Sequence, residues 1–306
     1  MSRPILSRHV DIVLTAIAPT VWGSTYYVTT EFLPDGYPIT VAMLRALPAG
    51  LLLLLFVRRL PTGVWWGRAF VLGALNFSIF WTMLFVAAYR LPGGVAATVG
   101  ALQPLVVIVL ARVYLGSPIR LLAIVAALAG IGGVALLILT PAAALDPVGL
   151  IAGFAGAVSM AAGTVLTRRW TPPVPLLAFT AWQLTAGGLL LVPLALLLEP
   201  PLPSLDAANI AGLAYLGLIG AALTYVLWFR GIARIEPSAV STLVFLSPLS
   251  AVLIGWIGLG QTLTLPQSIG VAVVFAAIWL GQAAQRSRAA GALPATPAVS
   301  PAASER

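Results

Sequence analysis

Apolar stretches follow one another along nearly the whole chain, and each is near the roughly 20 residues that a helix needs to cross a bilayer. Hydrophobic residues make up 60% of the 306 residues and charged residues only 8%, whereas soluble domains carry about 25% charged residues. A soluble fold built from this sequence would have too little polar surface to face water. The sequence therefore predicts an all-α polytopic membrane protein.

Prolines or charged residues separate ten predicted transmembrane helices, and no loop between them is long enough for a soluble domain. The predicted spans are 12–30, 39–57, 69–88, 94–113, 121–139, 148–167, 176–198, 207–227, 238–257 and 266–284. The first is interpreted as a retained helix rather than a cleaved signal peptide, because its apolar run continues past Pro19 to Thr30. The segment 285–306 is rich in Ala, Pro and Ser and is predicted to be a disordered cytoplasmic tail.

The arginines indicate how these spans are oriented. The net charge of +8 comes from arginine alone, since the chain contains no lysine. If the N-terminus is inside, Arg90 is the one arginine in an outside segment, Arg45 lies within the second span, and fourteen fall inside: Arg3, Arg8, Arg58, Arg59, Arg68, Arg112, Arg120, Arg168, Arg169, Arg230, Arg234, Arg286, Arg288 and Arg306. Basic residues mark cytoplasmic segments. We therefore expect both termini in the cytoplasm of a bacterial inner membrane, and no nucleic-acid partner.

The two halves of the chain resemble each other. The matching pairs are residues 45–53 with 183–191, at an offset of 138, and residues 90–98 with 234–242, Pro104-Leu105 with Pro248-Leu249, and Leu115-Gly116 with Leu259-Gly260, at an offset of 144. Residues 1–140 and 141–284 are thus predicted to be two five-helix repeats, and the odd number inverts the second. Secondary transporters are commonly built in this way, with the substrate near the midplane between the repeats.

These residues resemble the drug/metabolite transporter superfamily, in its EamA-type ten-helix branch. The shared features are Trp22-Gly23-Ser24 in the first span, Arg45 in the second, and the late Pro-Leu pairs of the fourth and ninth spans. Ser117 and Gln261 depart from the pattern, since the family frequently has Glu there. Within the branch, the chain looks most like bacterial exporters of amino acids, including aromatic ones. The resemblance implies cytoplasmic termini and a central cavity open to one side at a time.

Polar and aromatic side chains near the middle of the spans are the candidate substrate ligands. A proline removes the backbone hydrogen bond to the carbonyl four residues earlier, and such a carbonyl in a membrane often lines a cavity. Aromatic residues too deep for the interfacial belt could stack on a substrate. The predicted substrate-binding residues are Trp22, Asn76, Trp81, Gln103, Ser159, Gln183 and Ser247, with Pro104 and Pro248 as hinges. The alternative for each side chain is packing or bonding between helices.

Arg45 is the charged residue that lies well inside a predicted span. It follows Pro38 by seven residues, which places it about 10 Å deep at about 1.5 Å per residue. It either attracts a carboxylate or is structural, reaching the outer interface or pairing with Glu31 or Asp35. Its shallow depth favours the structural interpretation.

The residues within the predicted spans also distinguish between an enzyme, a channel and a transporter. An enzyme is disfavoured because the spans contain no His, Cys, Asp or Glu except at their ends, and a channel would usually be an oligomer with charged rings or filter carbonyls. The sequence predicts a monomeric transporter, without cofactor or metal, that contacts membrane lipids and exports small neutral or zwitterionic metabolites by alternating access. Amino acids with apolar or aromatic side chains are the expected substrates. The lack of a deep acid or His favours an uncoupled facilitator, with a proton- or sodium-coupled drug/metabolite exporter as the alternative.

Overall fold

Ten helices make up most of the chain that the structure describes. The computed structural model describes residues 5–91, 93–138, 146–258 and 262–290, and there is no β-strand within them. The helices are α1 (Ile5–Phe32), α2 (Pro38–Val57), α3 (65–90), α4 (93–115), α5 (Leu121–Ile138), α6 (Pro147–Arg169), α7 (Leu176–Leu198), α8 (Ala207–Arg234), α9 (237–258) and α10 (Leu265–Ala290). Within those residues, α2 to α10 each contain a stretch long and apolar enough to cross a membrane. The all-α polytopic fold is therefore confirmed.

The ends of the helices agree with the predicted spans to within a few residues, with three exceptions. α8 continues to Arg234 rather than ending at 227. α1 is 28 residues long and begins before the predicted span, so it includes Arg8, His9 and Asp11. α10 continues to Ala290, so residues 285–290 are helical and the prediction of disorder is wrong for them. Their Ala, Gln and Arg residues favour helix. Residues 291–306, the boundary between repeats near 140, and Leu259, Gly260 and Gln261 lie outside the described residues.

α2 and α7 cross in close contact, with a glycine of each helix at the crossing point. A Cβ added to Gly50 would lie 2.4 Å from the backbone nitrogen of Thr185, and one added to Gly188 would lie 2.7 Å from Cα of Leu47. The offset of 138 relates Gly50 to Gly188 and Leu47 to Thr185. One close contact is thus made twice, as a pseudo-twofold axis between inverted repeats requires.

Two π-helical segments also lie at equivalent positions in the two repeats. They are Ala74–Ser78 in α3 and Leu218–Leu223 in α8, whose first residues differ by the same 144 positions that relate the sequence repeats. Such segments are rare and frequently occur at functional sites. The first packs against α7 and the second against α2, the two helices that cross.

α4 and α9 are interrupted at equivalent places. In α4 a turn at Ala101 and Leu102 precedes the helix Gln103–Leu115, and in α9 a 3-10 turn, Leu243–Phe245, precedes the helix Leu246–Gly258. Pro104 and Pro248 follow these interruptions. Having no N–H, they cannot donate to the carbonyls of Gly100 and Val244, as the sequence predicts.

Candidate transport cavity

A cavity of about 790 Å³ lies between the two halves. Both repeats contribute to its wall, and it extends to the α1–α2 and α9–α10 loops, where Asp35, Tyr37 and Thr262 line its mouth. None of the lining residues that the structure describes belongs to the loops at the other end of the helices. Its volume falls in the range of roughly 300–1,000 Å³ that suits small organic ligands.

Aromatic rings form one wall of this cavity. Trp22, Trp81 and Tyr225 line it, and the ring centroid of Tyr225 lies 5.0 Å from that of Trp22 and 6.5 Å from that of Trp81. Behind them the fully buried Phe77 packs 4.6 Å from Tyr225. These separations are typical of tilted and edge-to-face aromatic contacts, so the wall is packed in place before any ligand arrives.

Arg45 points into the cavity from α2. Its Nη2 donates a hydrogen bond of 2.6 Å to the carbonyl oxygen of Gly220, and its guanidinium carbon lies 5.3 Å from the centroid of the Trp81 ring. The residue is only 8% exposed. The side chain therefore turns inward, which argues against its reaching the outer interface.

The π-segment of α8 provides the acceptor for this arginine. The Gly220 carbonyl also accepts a 2.8 Å hydrogen bond from Thr224 Oγ1, which in turn accepts one of 3.0 Å from Trp22 Nε1. A single chain of hydrogen bonds thus links α1, α2 and α8 across the cavity wall. It fixes Arg45 and Trp22 relative to each other.

Gln103 and Ser247 line the cavity at the interruptions of α4 and α9. Gln103 is 4% exposed, and its Nε2 has no hydrogen-bond partner among the described residues. A buried N–H without an acceptor costs about 1–3 kcal/mol, so this amide is suited to an acceptor on a ligand. Pro248 also lines the cavity, whereas Pro104 is buried and does not.

Asn76, Ser159 and Gln183 do not line the cavity, in contrast to the prediction. Asn76 Nδ2 donates to Gln183 Oε1 at 2.8 Å and to Thr167 Oγ1 at 3.3 Å, and Ser159 Oγ donates to the carbonyl of Leu75 at 2.8 Å. All three predicted residues are buried. They bond helices together in this structure, which is the alternative that the sequence left open.

The contact between Asn76 and Gln183 is nevertheless related to the cavity by the repeat. Gln183 is the counterpart of Arg45 at the offset of 138, and Gly220 is the counterpart of Asn76 at the offset of 144. The Arg45–Gly220 and Gln183–Asn76 contacts therefore join equivalent positions in the two repeats, although Arg45 donates to a backbone carbonyl and Gln183 accepts from a side-chain amide. The Arg45–Gly220 contact adjoins the cavity, whereas the Gln183–Asn76 contact lies in closely packed protein.

Charged side chains hold the opposite end of the molecule together. Asp11 of α1 is 4% exposed, and its Oδ1 lies 2.6 Å from Nη2 of Arg230 and 3.2 Å from Nη1 of Arg234, both in α8. Arg168 of α6 donates a 2.6 Å hydrogen bond to the carbonyl of Ile232. These contacts tie α1 and α6 to the end of α8, on the side away from the cavity mouth.

Sequence reasoning did not select Tyr225, Gly220 or Asp11. Tyr225 could have been selected because it lies close to Trp228 and Phe229 in an aromatic-rich stretch at the end of the eighth span. Gly220 could have been selected as the repeat counterpart of Asn76. Asp11 gave no signal, because its position near the end of a span is also typical of an exposed acid.

Comparison with known proteins agrees with this architecture. The EamA-like transporter family matches residues 10–139 and again residues 147–281. Protein PecM of Dickeya dadantii (strain 3937) is 48% identical over 267 residues, covering 87% of this chain and 90% of PecM. The uncharacterized inner membrane transporter YedA of Escherichia coli (strain K12) is 30% identical, covering 85% of this chain and 86% of YedA.

A solved crystal structure has the same fold. It superposes with a TM-score of 0.77 at 19% identity, covering 90% of this chain and 99% of the other. The double match to one family agrees with the repeated contacts described above. The chain is a multi-pass membrane protein and belongs to the EamA-like transporter family, whose members are transporters.

Proposed function

We propose that this transporter exports small neutral or zwitterionic metabolites with an apolar body, chiefly amino acids with apolar or aromatic side chains. The observation that carries the proposal is the aromatic wall of Trp22, Trp81 and Tyr225 in a cavity of about 790 Å³. A planar apolar side chain can stack on such rings. A phosphorylated solute is a poorer fit, since phosphate binding relies on clustered Arg or Lys.

Alternating access is the proposed mode of transport. The cavity has a mouth at the α1–α2 and α9–α10 loops, and its described lining does not reach the other end, where Asp11 and its arginines join α1 to α8. A pathway closed at one end favours a carrier over an open channel. With both termini in the cytoplasm of a bacterial inner membrane, this mouth faces outward, and the monomer contains the whole pathway.

Counterflow into liposomes that contain the purified protein tests this function. We expect labelled tryptophan and phenylalanine to exchange, and sugar phosphates and nucleotide sugars to fail to compete. Trp81→Ala should weaken the apparent affinity by roughly twofold to tenfold, from about 0.5–1.5 kcal/mol of aromatic contact. Trp66→Ala is the matched control, because Trp66 is 47% exposed and outside the cavity. Transport of sugar phosphates without amino-acid transport would refute the proposal.

A further inference from the structure

The cavity wall carries a cation and a buried amide donor within largely apolar surroundings. Arg45 and Asp35 are the charged residues among those that line it. Asp35 is exposed at the mouth, whereas Arg45 lies deeper and is 8% exposed. Away from water a cation interacts much more strongly with an anion than it does at a surface. Among the described residues of the wall, the charge that faces the interior of the cavity is therefore positive.

Packing alone does not require this charge. Gln183, the repeat counterpart of Arg45, bonds to the neighbouring helix through a neutral amide, whose Oε1 accepts a 2.8 Å hydrogen bond from Asn76 Nδ2. At the equivalent position of the second repeat, a neutral side chain is thus sufficient to join the two helices. Since the charged residue is the one beside the cavity, its charge acts on what enters the cavity.

The guanidinium is also held in one orientation. It lies over the Trp81 ring, a favourable cation–π arrangement, while Nη2 donates to Gly220. A guanidinium has five N–H donors in a planar fork that matches the two oxygens of a carboxylate. Holding the fork in place before binding lowers the entropy cost of binding an anion.

Gln103 supplies an independent observation. Gln103 lines the cavity, and its buried Nε2 lacks an acceptor among the described residues. An N–H donor in this position requires an oxygen or nitrogen acceptor on the ligand. Arg45 and Gln103 therefore both favour a substrate that carries hydrogen-bond acceptors.

We propose that the cavity is a carboxylate-binding site, in which Arg45 binds the substrate carboxylate, Gln103 donates to an acceptor of the same substrate, and the aromatic wall binds its apolar body. This inference rests on the proposed function and specifies which end of the substrate is recognised. The substrate class is amphipathic carboxylates, with or without an ammonium group.

Three small probes test the site on the full-length protein. L-phenylalanine and phenylacetate carry a carboxylate, whereas L-phenylalaninamide replaces it by a neutral amide. Binding is measured as thermal stabilisation of the protein in detergent, and transport as counterflow in liposomes. We expect the amide to bind about tenfold to hundredfold more weakly than phenylalanine, the loss expected for a charge-assisted hydrogen bond.

Substitutions identify the residues responsible. Arg45→Gln should abolish the preference for phenylalanine over its amide, and Arg45→Lys should retain part of it, since the charge remains but the fork is lost. Arg90→Gln is the control, because Arg90 lies outside the cavity, 3.8 Å from Asp146. Gln103→Leu should raise the stability of the unliganded protein while weakening all three probes, a combination that a purely structural residue would not give.

The outcomes separate this inference from the proposed function. Equal binding of phenylalanine and its amide to the native protein overturns the carboxylate site, while continued amino-acid transport leaves the proposed function intact. Binding of phenylacetate without phenylalanine supports the carboxylate site and refutes amino acids as substrates. Failure of all three probes to bind overturns the inference, whatever the fate of the Arg45→Gln protein.

Discussion

Gly50 and Gly188 determine how closely α2 and α7 approach. Because an added Cβ at Gly50 would lie 2.4 Å from backbone of α7, Gly50→Ala should destabilise the protein by about 1–3 kcal/mol, the usual cost of overpacking. Thermal unfolding in detergent measures this loss. Gly132→Ala is the control, since its added Cβ meets nothing within 4 Å and alanine favours helix by about 1 kcal/mol. Equal shifts for the two variants would contradict the close crossing.

The sequence predicted part of the cavity and missed the rest for a physical reason. The depth and type of Trp22, Trp81, Gln103 and Ser247 were sufficient to select them, and all four line the cavity. In a membrane, both lipid-facing and interior-facing positions are apolar. Hydrophobic periodicity therefore does not reveal which way a mid-span side chain points. For this reason Asn76, which lies at a similar depth, was also predicted to bind substrate, although its side chain faces Gln183.

At the scale of helices, the sequence was a good guide to the number of helices and to most of their ends, but not to the ends of α1, α8 and α10 or to local irregularities. Arginines and prolines punctuate the apolar runs, so most helix boundaries were predictable. The two interruptions before Pro104 and Pro248 followed from the missing proline N–H. The π-segments Ala74–Ser78 and Leu218–Leu223 had no signal, because their residues are ordinary helix residues and the widening of the helix depends on contacts with neighbouring helices.

The ion pairs between α1 and α8 make a second prediction possible. Asp11→Asn removes the carboxylate that faces Arg230 and Arg234, and buried pairs are costly to break. We expect the end of the molecule near Asp11 to open more often, by roughly tenfold, which corresponds to about 1.4 kcal/mol of population shift. The partial exposure of both arginines keeps this below the cost of a fully buried pair.

Cysteine labelling measures this opening directly, since the native chain has no cysteine. Thr164 is fully buried in α6 near the closed end, so Thr164→Cys should react slowly with a maleimide and faster when Asp11→Asn is also present. Thr25→Cys, in the cavity wall, should react at a similar rate in both backgrounds. A folded Asp11→Asn protein with unchanged Thr164→Cys labelling would show that these ion pairs do not close the molecule.

At the scale of the whole molecule, the structure presents two equivalent contacts in different surroundings. The Arg45–Gly220 contact adjoins an open cavity, and the Gln183–Asn76 contact lies in packed protein. If the repeats exchanged conformations, the cavity would close around Arg45 and a new one would open beside Gln183. Under that exchange, Asn76 and Gln183 would contact the substrate in the inward-open state, so their predicted role remains open to test by transport.

Coupling of transport to a proton gradient depends on where the buried acid lies. Asp11 is the buried carboxylate among the described residues, but it is outside the cavity wall and between two arginines. Proton-driven carriers usually move the proton through an intramembrane acid or His, and an arginine cannot replace it because its guanidinium stays protonated. We therefore expect phenylalanine in liposomes to equilibrate, without accumulating, when a proton, sodium or voltage gradient is imposed alone. Accumulation driven by the proton gradient, and lost in Asp11→Asn, would instead identify Asp11 as the coupling residue.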